Sequence, residues 1–168
     1  MAYFGFTNKL LKGQTIQIYM MNKLVIANRG AGYIGKSSSV RSVYQLLKDN
    51  GHKLLVEEWQ GEDIKAIFEI NGVKVGIESQ GDPDSQMEPT MEAFVDAGCE
   101  IIVTACRTKS YTYEKVWKYL GEEHGYNVLW AAHFVFTAPG ADDTRALLNS
   151  RYAHQVYQLI QDRINDVI

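Results

Sequence analysis

Leu24-Val25-Ile26-Ala27-Asn28-Arg29-Gly30-Ala31-Gly32-Tyr33-Ile34-Gly35-Lys36-Ser37 is the stretch on which the fold turns. An apolar run leads into a glycine-rich turn, and Gly30 to Ser37 completes the pattern G-x-x-x-x-G-K-[ST]. Glycines there let the backbone turn tightly and aim successive N–H groups into a concavity that suits phosphate oxygens. A helix beginning near Lys36 adds its positive dipole end. The expected cradle is Gly30, Ala31, Gly32, Tyr33, Ile34, Gly35, Lys36, Ser37 and Ser38. Lys36 is expected to reach the β- and γ-phosphates, and Ser37 to hold Mg²⁺.

The same residues also fit Gly30-x-Gly32-x-x-Gly35, and GAGYIG resembles the opening of extended short-chain dehydrogenases and nucleotide-sugar epimerases. That resemblance implies NAD(P), with Glu57 or Glu58 as the ribose-binding acid about twenty residues after the last glycine and Tyr111-x-x-x-Lys115 as the catalytic pair. Lys36-Ser37 has no necessary role in such a site. The loop and its flanks resemble the P-loop nucleoside triphosphate hydrolase superfamily more closely, and the dinucleotide domain stands as the alternative.

Composition places the chain among α/β domains with one core. It has 168 residues, 46% of them hydrophobic, and a formal net charge of −3 without long runs of one sign. Nothing in that balance points to nucleic acid or a lipid surface. Cys99 and Cys106 flank an apolar strand and have no metal-ligand spacing to any histidine, so they read as reduced core residues of a cytoplasmic protein. No apolar stretch is long enough to span a bilayer. Residues 1–20 read as an N-terminal extension or a mis-assigned start before Met20-Met21. Within them, Ile16 and Ile18 share one face of a short alternating run. Residues 21–168 read as a single nucleotide-binding domain.

Past the loop, strand and helix patterns alternate as in a mostly parallel sheet. Val40, Val43, Tyr44 and Leu47 give a helical stripe that Asn50-Gly51 ends. Three extended runs follow, Lys53 to Trp59, Ile64 to Ile70 and Val73 to Ser79, with Asn71-Gly72 as a strong hairpin signal. A helix through Met87, Met91 and Phe94, a strand at Ile101 to Val103, a helix through Tyr113 to Leu120, a strand from Val128 to Val135 and a closing helix through Leu148 to Ile160 complete the series. The expected fold is a three-layer α/β/α P-loop NTPase with an antiparallel hairpin.

The hairpin leading into Glu78-x-x-Gly81 is similar to the region of Ras-like GTPases that carries an acid-x-x-Gly motif. The Asn/Thr-Lys-x-Asp guanine motif is absent from Val128 to Phe136, and Asn50 to Lys53 leaves no room for a threonine-bearing switch loop. ATP is therefore expected ahead of GTP. The chain also partly resembles small-molecule kinases, with Arg107 to Tyr111 in place of a lid. The expected catalytic set is Lys36, Glu78 and Arg107, and the expected metal set is Ser37, Glu78 and Asp82. Asp84, Lys109 and the Thr137 to Ala141 loop are further candidates, and Asp84-Ser85 reads as a helix cap. The expected activity is Mg²⁺-dependent nucleoside triphosphate binding, with hydrolysis or transfer to a small acceptor. A nucleotide-dependent protein-interaction module is the non-catalytic alternative.

Overall fold

The computed structural model describes residues 10–11, 14–15, 23–31, 35–82, 87–132, 135–136, 138–166 and 168. β1 (Leu10–Leu11) and β2 (Gln14–Thr15) form a small antiparallel ladder of their own, and Ile16 and Ile18 lie outside the described residues. β3 (Leu24–Gly30) ends in the glycine loop, and α1 (Lys36–Asp49) leaves it. A meander follows, β4 (Lys53–Gln60), β5 (Asp63–Ile70) and β6 (Val73–Glu78). Then come α2 (Met87–Asp96), β7 (Ile101–Arg107), α3 (Tyr111–Glu114), β8 (Asn127–Ala131) and α4 (Asp142–Ile164).

The six long strands make one mixed sheet in the order β4-β5-β6-β7-β3-β8. β6, β7, β3 and β8 run parallel, while β4, β5 and β6 pair antiparallel. Leu24 to Ala27 are buried on both faces, as a continuous apolar run in a parallel sheet requires. One face packs Leu24, Ile26, Val75 and Ile77 under α1 and α4, through Val40, Leu47, Val156 and Ile160. The other packs Val25, Ala27 and Ile102 under α2 and the helical segment Lys115–Glu123 that continues α3, through Met91, Phe94, Val116 and Leu120. This gives three layers, with β3 in contact with both cores.

Local chemistry explains the punctuation. Asn71 and Gly72 take φ of 51° and 84° between the paired Ile70 and Val73, so both turn residues are left-handed, the geometry that suits a two-residue hairpin. α1 ends where Gly51, at φ 73°, lets its N–H reach the Lys48 carbonyl at 3.0 Å. α2 sits so low on β6 that a Cβ on Gly76 would lie 2.8 Å from the Phe94 ring.

Two elements differ from their sequence patterns. The helix around Tyr113 begins at Tyr111 and continues from Lys115 to Glu123 with π-helical geometry, which periodicity alone does not distinguish from an α-helix. β8 stops at Ala131; Val135 and Phe136 lie beyond it and are exposed. Pro139-Gly140 forms the turn before α4, and Asp142 and Asp143 stand in its first turn. Asp84, Ser85 and Thr137 fall outside the described residues. Among the described residues no helix is long and apolar enough to cross a membrane.

Candidate phosphate-binding site

The end of β3 and the start of α1 set the frame. Gly30 and Ala31 leave the sheet; Gly32, Tyr33 and Ile34 lie outside the described residues. Gly35 then turns the chain into α1 at φ 86°, a left-handed conformation that disfavours any side chain. Below the loop, the buried Asn28 donates from Nδ2 to the Lys36 carbonyl at 3.4 Å, tying strand to helix. Ser39 Oγ lies 3.0 Å from the Gly35 carbonyl and 2.9 Å from Asn149 Oδ1, so α4 also braces the first turn of α1.

Lys36 is not the solvated residue that a helix start suggests; it is 5% exposed. Its Nζ turns back toward the end of β3 and donates to the Ala31 carbonyl. Burial, reinforced by the nearby Arg107 charge, lowers its pKa, and Asp82 opposes that shift. A cation held under strain of desolvation gains when an anion arrives, because the missing counter-charge is supplied. Ser37 and Ser38 are half-buried in the first turn of α1, and Ser38 Oγ accepts from Arg41 Nη2 at 3.0 Å.

β7 delivers Arg107 to the same place. Arg107 pairs in register with Gly30, and its N–H donates to Thr112 Oγ1 at 3.1 Å, which fixes the strand end against α3. Its guanidinium donates to Asp82 Oδ1 from Nε at 3.0 Å and from Nη2 at 2.7 Å. Lys36, Arg107 and Asp82 thus form one charged group at the carboxyl end of the parallel strands, the end where ligands bind in open α/β sheets. Lys109 is exposed in the loop that follows.

Glu78 belongs to a different group. In register it lies level with Thr104, and Thr104 with Ala27, three positions below Gly30. Its carboxyl is 1% exposed and accepts from the Gln80 N–H at 2.5 Å and from the Thr90 hydroxyl. The charges acting on it are Asp63 and Lys65, not Lys36 or Arg107. Burial pushes its pKa up to about 8, so it is largely neutral at neutral pH. The expected convergence of Glu78 and Arg107 on one phosphate is therefore not what the register produces. β7 separates β6 from β3, and a side chain ending β6 is both displaced sideways and too deep.

The donor set also bears on Mg²⁺. Among the described residues no group of three His, Cys, Asp or Glu is placed to hold a metal. Mg²⁺ on a nucleotide needs only one or two protein oxygens besides phosphate and water. Ser37 and the exposed Asp82 fit that need, whereas a buried, protonated Glu78 does not.

The dinucleotide alternative meets a different topology. Its ribose acid must end a strand lying beside the glycine-loop strand. Here β4 is the far edge of the sheet, with β5, β6 and β7 between it and β3. Glu57 is committed to Tyr44 and to Lys48 Nζ at 3.0 Å, and Glu58 pairs with Lys65 at 3.2 Å. Tyr111 and Lys115 both bind Glu88 of α2.

One residue escaped the motif reading. Arg29 precedes the loop, and its guanidinium lies over the rings of Tyr113 and Trp130, at 4.9 and 5.4 Å. Those rings stack on each other at 4.9 Å, and Arg29 Nη2 donates to the Thr108 carbonyl at 3.2 Å. The alternation Val25, Ala27, Arg29 puts it on the face away from α1, a signal present in the sequence once the strand is assigned. Cys99 and Cys106 are both free and buried, and burial pushes their thiols up to about 12 and about 11, so they are inert core groups.

No protein-family model matches this chain, and no curated protein or solved structure matches it.

Proposed function

We propose that the chain binds a Mg²⁺–nucleoside triphosphate, ATP ahead of GTP, on the Gly30 to Ser38 loop, and that it hydrolyses the γ-phosphate or transfers it to a small acceptor. The observation that carries this reading is the charged group of Lys36, Arg107 and Asp82 beside a strand–glycine loop–helix junction. Two cations at the carboxyl end of a parallel sheet, one of them desolvated, suit a polyanion better than any other common ligand. Lys36 would leave the Ala31 carbonyl for phosphate oxygens, keeping its charge while gaining a partner. Arg107 would exchange one oxygen of Asp82 for the planar, multi-oxygen face of the γ-phosphoryl group, where charge develops during transfer. Mg²⁺, when bound, would neutralise charge on the β- and γ-phosphates. Ser37 and Asp82 would hold it, and Asp82 would be free to do so once Arg107 had turned to the nucleotide.

Titration calorimetry with ATP, GTP and NADPH, each with and without Mg²⁺, tests the reading. Metal-dependent ATP binding that weakens on Lys36→Met is the expected result. Tight, metal-independent NADPH binding sinks it in favour of the dehydrogenase alternative.

A second reading is favoured by one further observation. Only residues 108–110 separate β7 from α3, too few to close over a bound phosphate as a kinase lid does. In that reading occupancy of the loop alters a surface for a protein partner and little phosphate is released. Single-turnover hydrolysis of bound ATP separates the two.

A further inference from the structure

The strand ends that carry the candidate site project beyond the rest of the sheet. β8 pairs with β3 no further than Ala131 at Asn28, and β6 pairs with β7 no further than Glu78 at Thr104. Past those points, among the described residues, Arg29 and Gly30 have sheet partners only in Cys106 and Arg107. Two paired strands with no further neighbour are marginally held. This tip nevertheless bears both the first glycine of the loop and Arg107, so side chains must supply what the ladder lacks there.

We infer that Arg29 is a positioning residue for Arg107: its guanidinium, set over Tyr113 and Trp130 and bonded to the Thr108 carbonyl, holds the β3–β7 tip so that Arg107 is aimed at the bound phosphates. The inference rests on the nucleoside triphosphate reading of the same site. Arg29 leaves β3 on the face away from α1, so it acts on the nucleotide through Arg107 and not by contact.

One side chain here joins four elements. From β3, Arg29 Nη2 donates at 3.2 Å to the carbonyl of Thr108, the residue that follows Arg107 at the end of β7. Its guanidinium carbon stands 4.9 Å from the ring centre of Tyr113 on α3 and 5.4 Å from that of Trp130 on β8. Arg107 is fixed from its own main chain, where its N–H lies 3.1 Å from Thr112 Oγ1, and Ser110 Oγ lies 3.1 Å from the same hydroxyl. The 108–110 connection is thereby held at both ends, by Arg29 and by α3. A planar fork suits this task, because it can lie against rings and still direct a donor sideways to a carbonyl, which a compact ammonium does less well. The arrangement also carries a cost, since Arg29 Nε is buried with no hydrogen-bond partner among the described residues. Val25 and Ala27 precede it on the same face, and a third apolar residue would pack there without that cost. Such a break in the local pattern is expected where a working site overrides packing.

A double-mutant cycle on the affinity for Mg²⁺ and the non-hydrolysable ATP analogue AMP-PNP, read by titration calorimetry, tests this without requiring turnover. Arg29→Lys keeps the charge and loses the fork. It should weaken binding by about threefold or more when Arg107 is present and leave it roughly unchanged in the Arg107→Ala background. Tyr113→Leu removes one of the two rings without altering any charge, and the same dependence on Arg107 is expected of it, so the cycle still decides if Arg29→Lys fails to fold. A role in folding alone would weaken binding equally in both backgrounds. Equal losses with and without Arg107, or undiminished affinity in the folded variants, overturns the inference. Failure of the unmodified chain to bind the analogue instead sinks the triphosphate reading, and this inference with it.

Discussion

Replacing Asp82 with Asn separates two roles that its contact with Arg107 ties together. In the ligand-free chain the guanidinium holds one oxygen of Asp82 through two donors, at 3.0 and 2.7 Å. The aspartate side chain is 69% exposed and the arginine 26%, so the pair is largely solvated. Such pairs contribute about 0.2–1 kcal/mol. A triphosphate that recruits Arg107 must first break this contact, so removing it should tighten metal-free ATP binding by up to about fivefold. Stability should fall by less than about 1 kcal/mol. With Mg²⁺ present the sign should reverse or the gain vanish, since the oxygen offered to the metal is also gone. The assay is calorimetric titration of ATP in EDTA and then in Mg²⁺, for the unmodified chain, Asp82→Asn, Arg107→Ala and the double variant. In the Arg107→Ala background, Asp82→Asn should no longer improve metal-free binding, which isolates the coupling. Weaker metal-free binding in Asp82→Asn, or the same gain with and without Arg107, refutes the exchange of partners.

Lys36→Met keeps the buried stem and removes the charge; ATP affinity should drop by about 1.5–3 kcal/mol while urea stability holds or rises slightly, because a desolvated ammonium is lost. Glu78 holds a proton in the folded chain up to about pH 8 that an unfolded carboxyl loses near 4.5, so the stability it confers is complete below pH 4.5 and drains away as pH rises to 8. Glu78→Gln lacks that loss, and its urea midpoint should gain on the unmodified chain by at least about 1 kcal/mol between pH 5.5 and 7.5; parallel pH profiles contradict this. Gly76→Ala drives a Cβ to 2.8 Å from the Phe94 ring and should cost about 1–3 kcal/mol, read by urea unfolding; an unchanged midpoint would mean α2 shifts freely.

Much of the architecture is legible in local chemistry. Asn71-Gly72 dictates its hairpin, Gly35-Lys36 the loop-to-helix junction, and the apolar stripes of α1, α2 and α4 their buried faces. Arg107 and Asp82 are also recoverable, as a strand-end cation and a loop acid. The position of β7 is not, because strand order depends on long-range pairing that no local pattern encodes. Without that order the depth of Glu78 cannot be known: the residue reads as a strand end, yet its neighbours continue for three more positions. The π geometry from Lys115 to Glu123 is hidden because its buried residues, Val116 and Leu120, keep the i, i+4 spacing that an α-helix also shows.

The order of the sheet also dictates when the loop can exist. β3 pairs in the sheet with Ile101–Arg107 and Asn127–Ala131, and α1 rests against α4, which ends at Ile164. A chain emerging from the ribosome can close the β4–β5–β6 meander early, because those partners lie within a few turns of one another. The first long strand has to wait until β7, β8 and α4 have been made, its apolar residues unpaired and its glycines unanchored. A chaperone that shields Leu24 to Ala27 would therefore act on apolar residues whose sheet partners come much later in the chain.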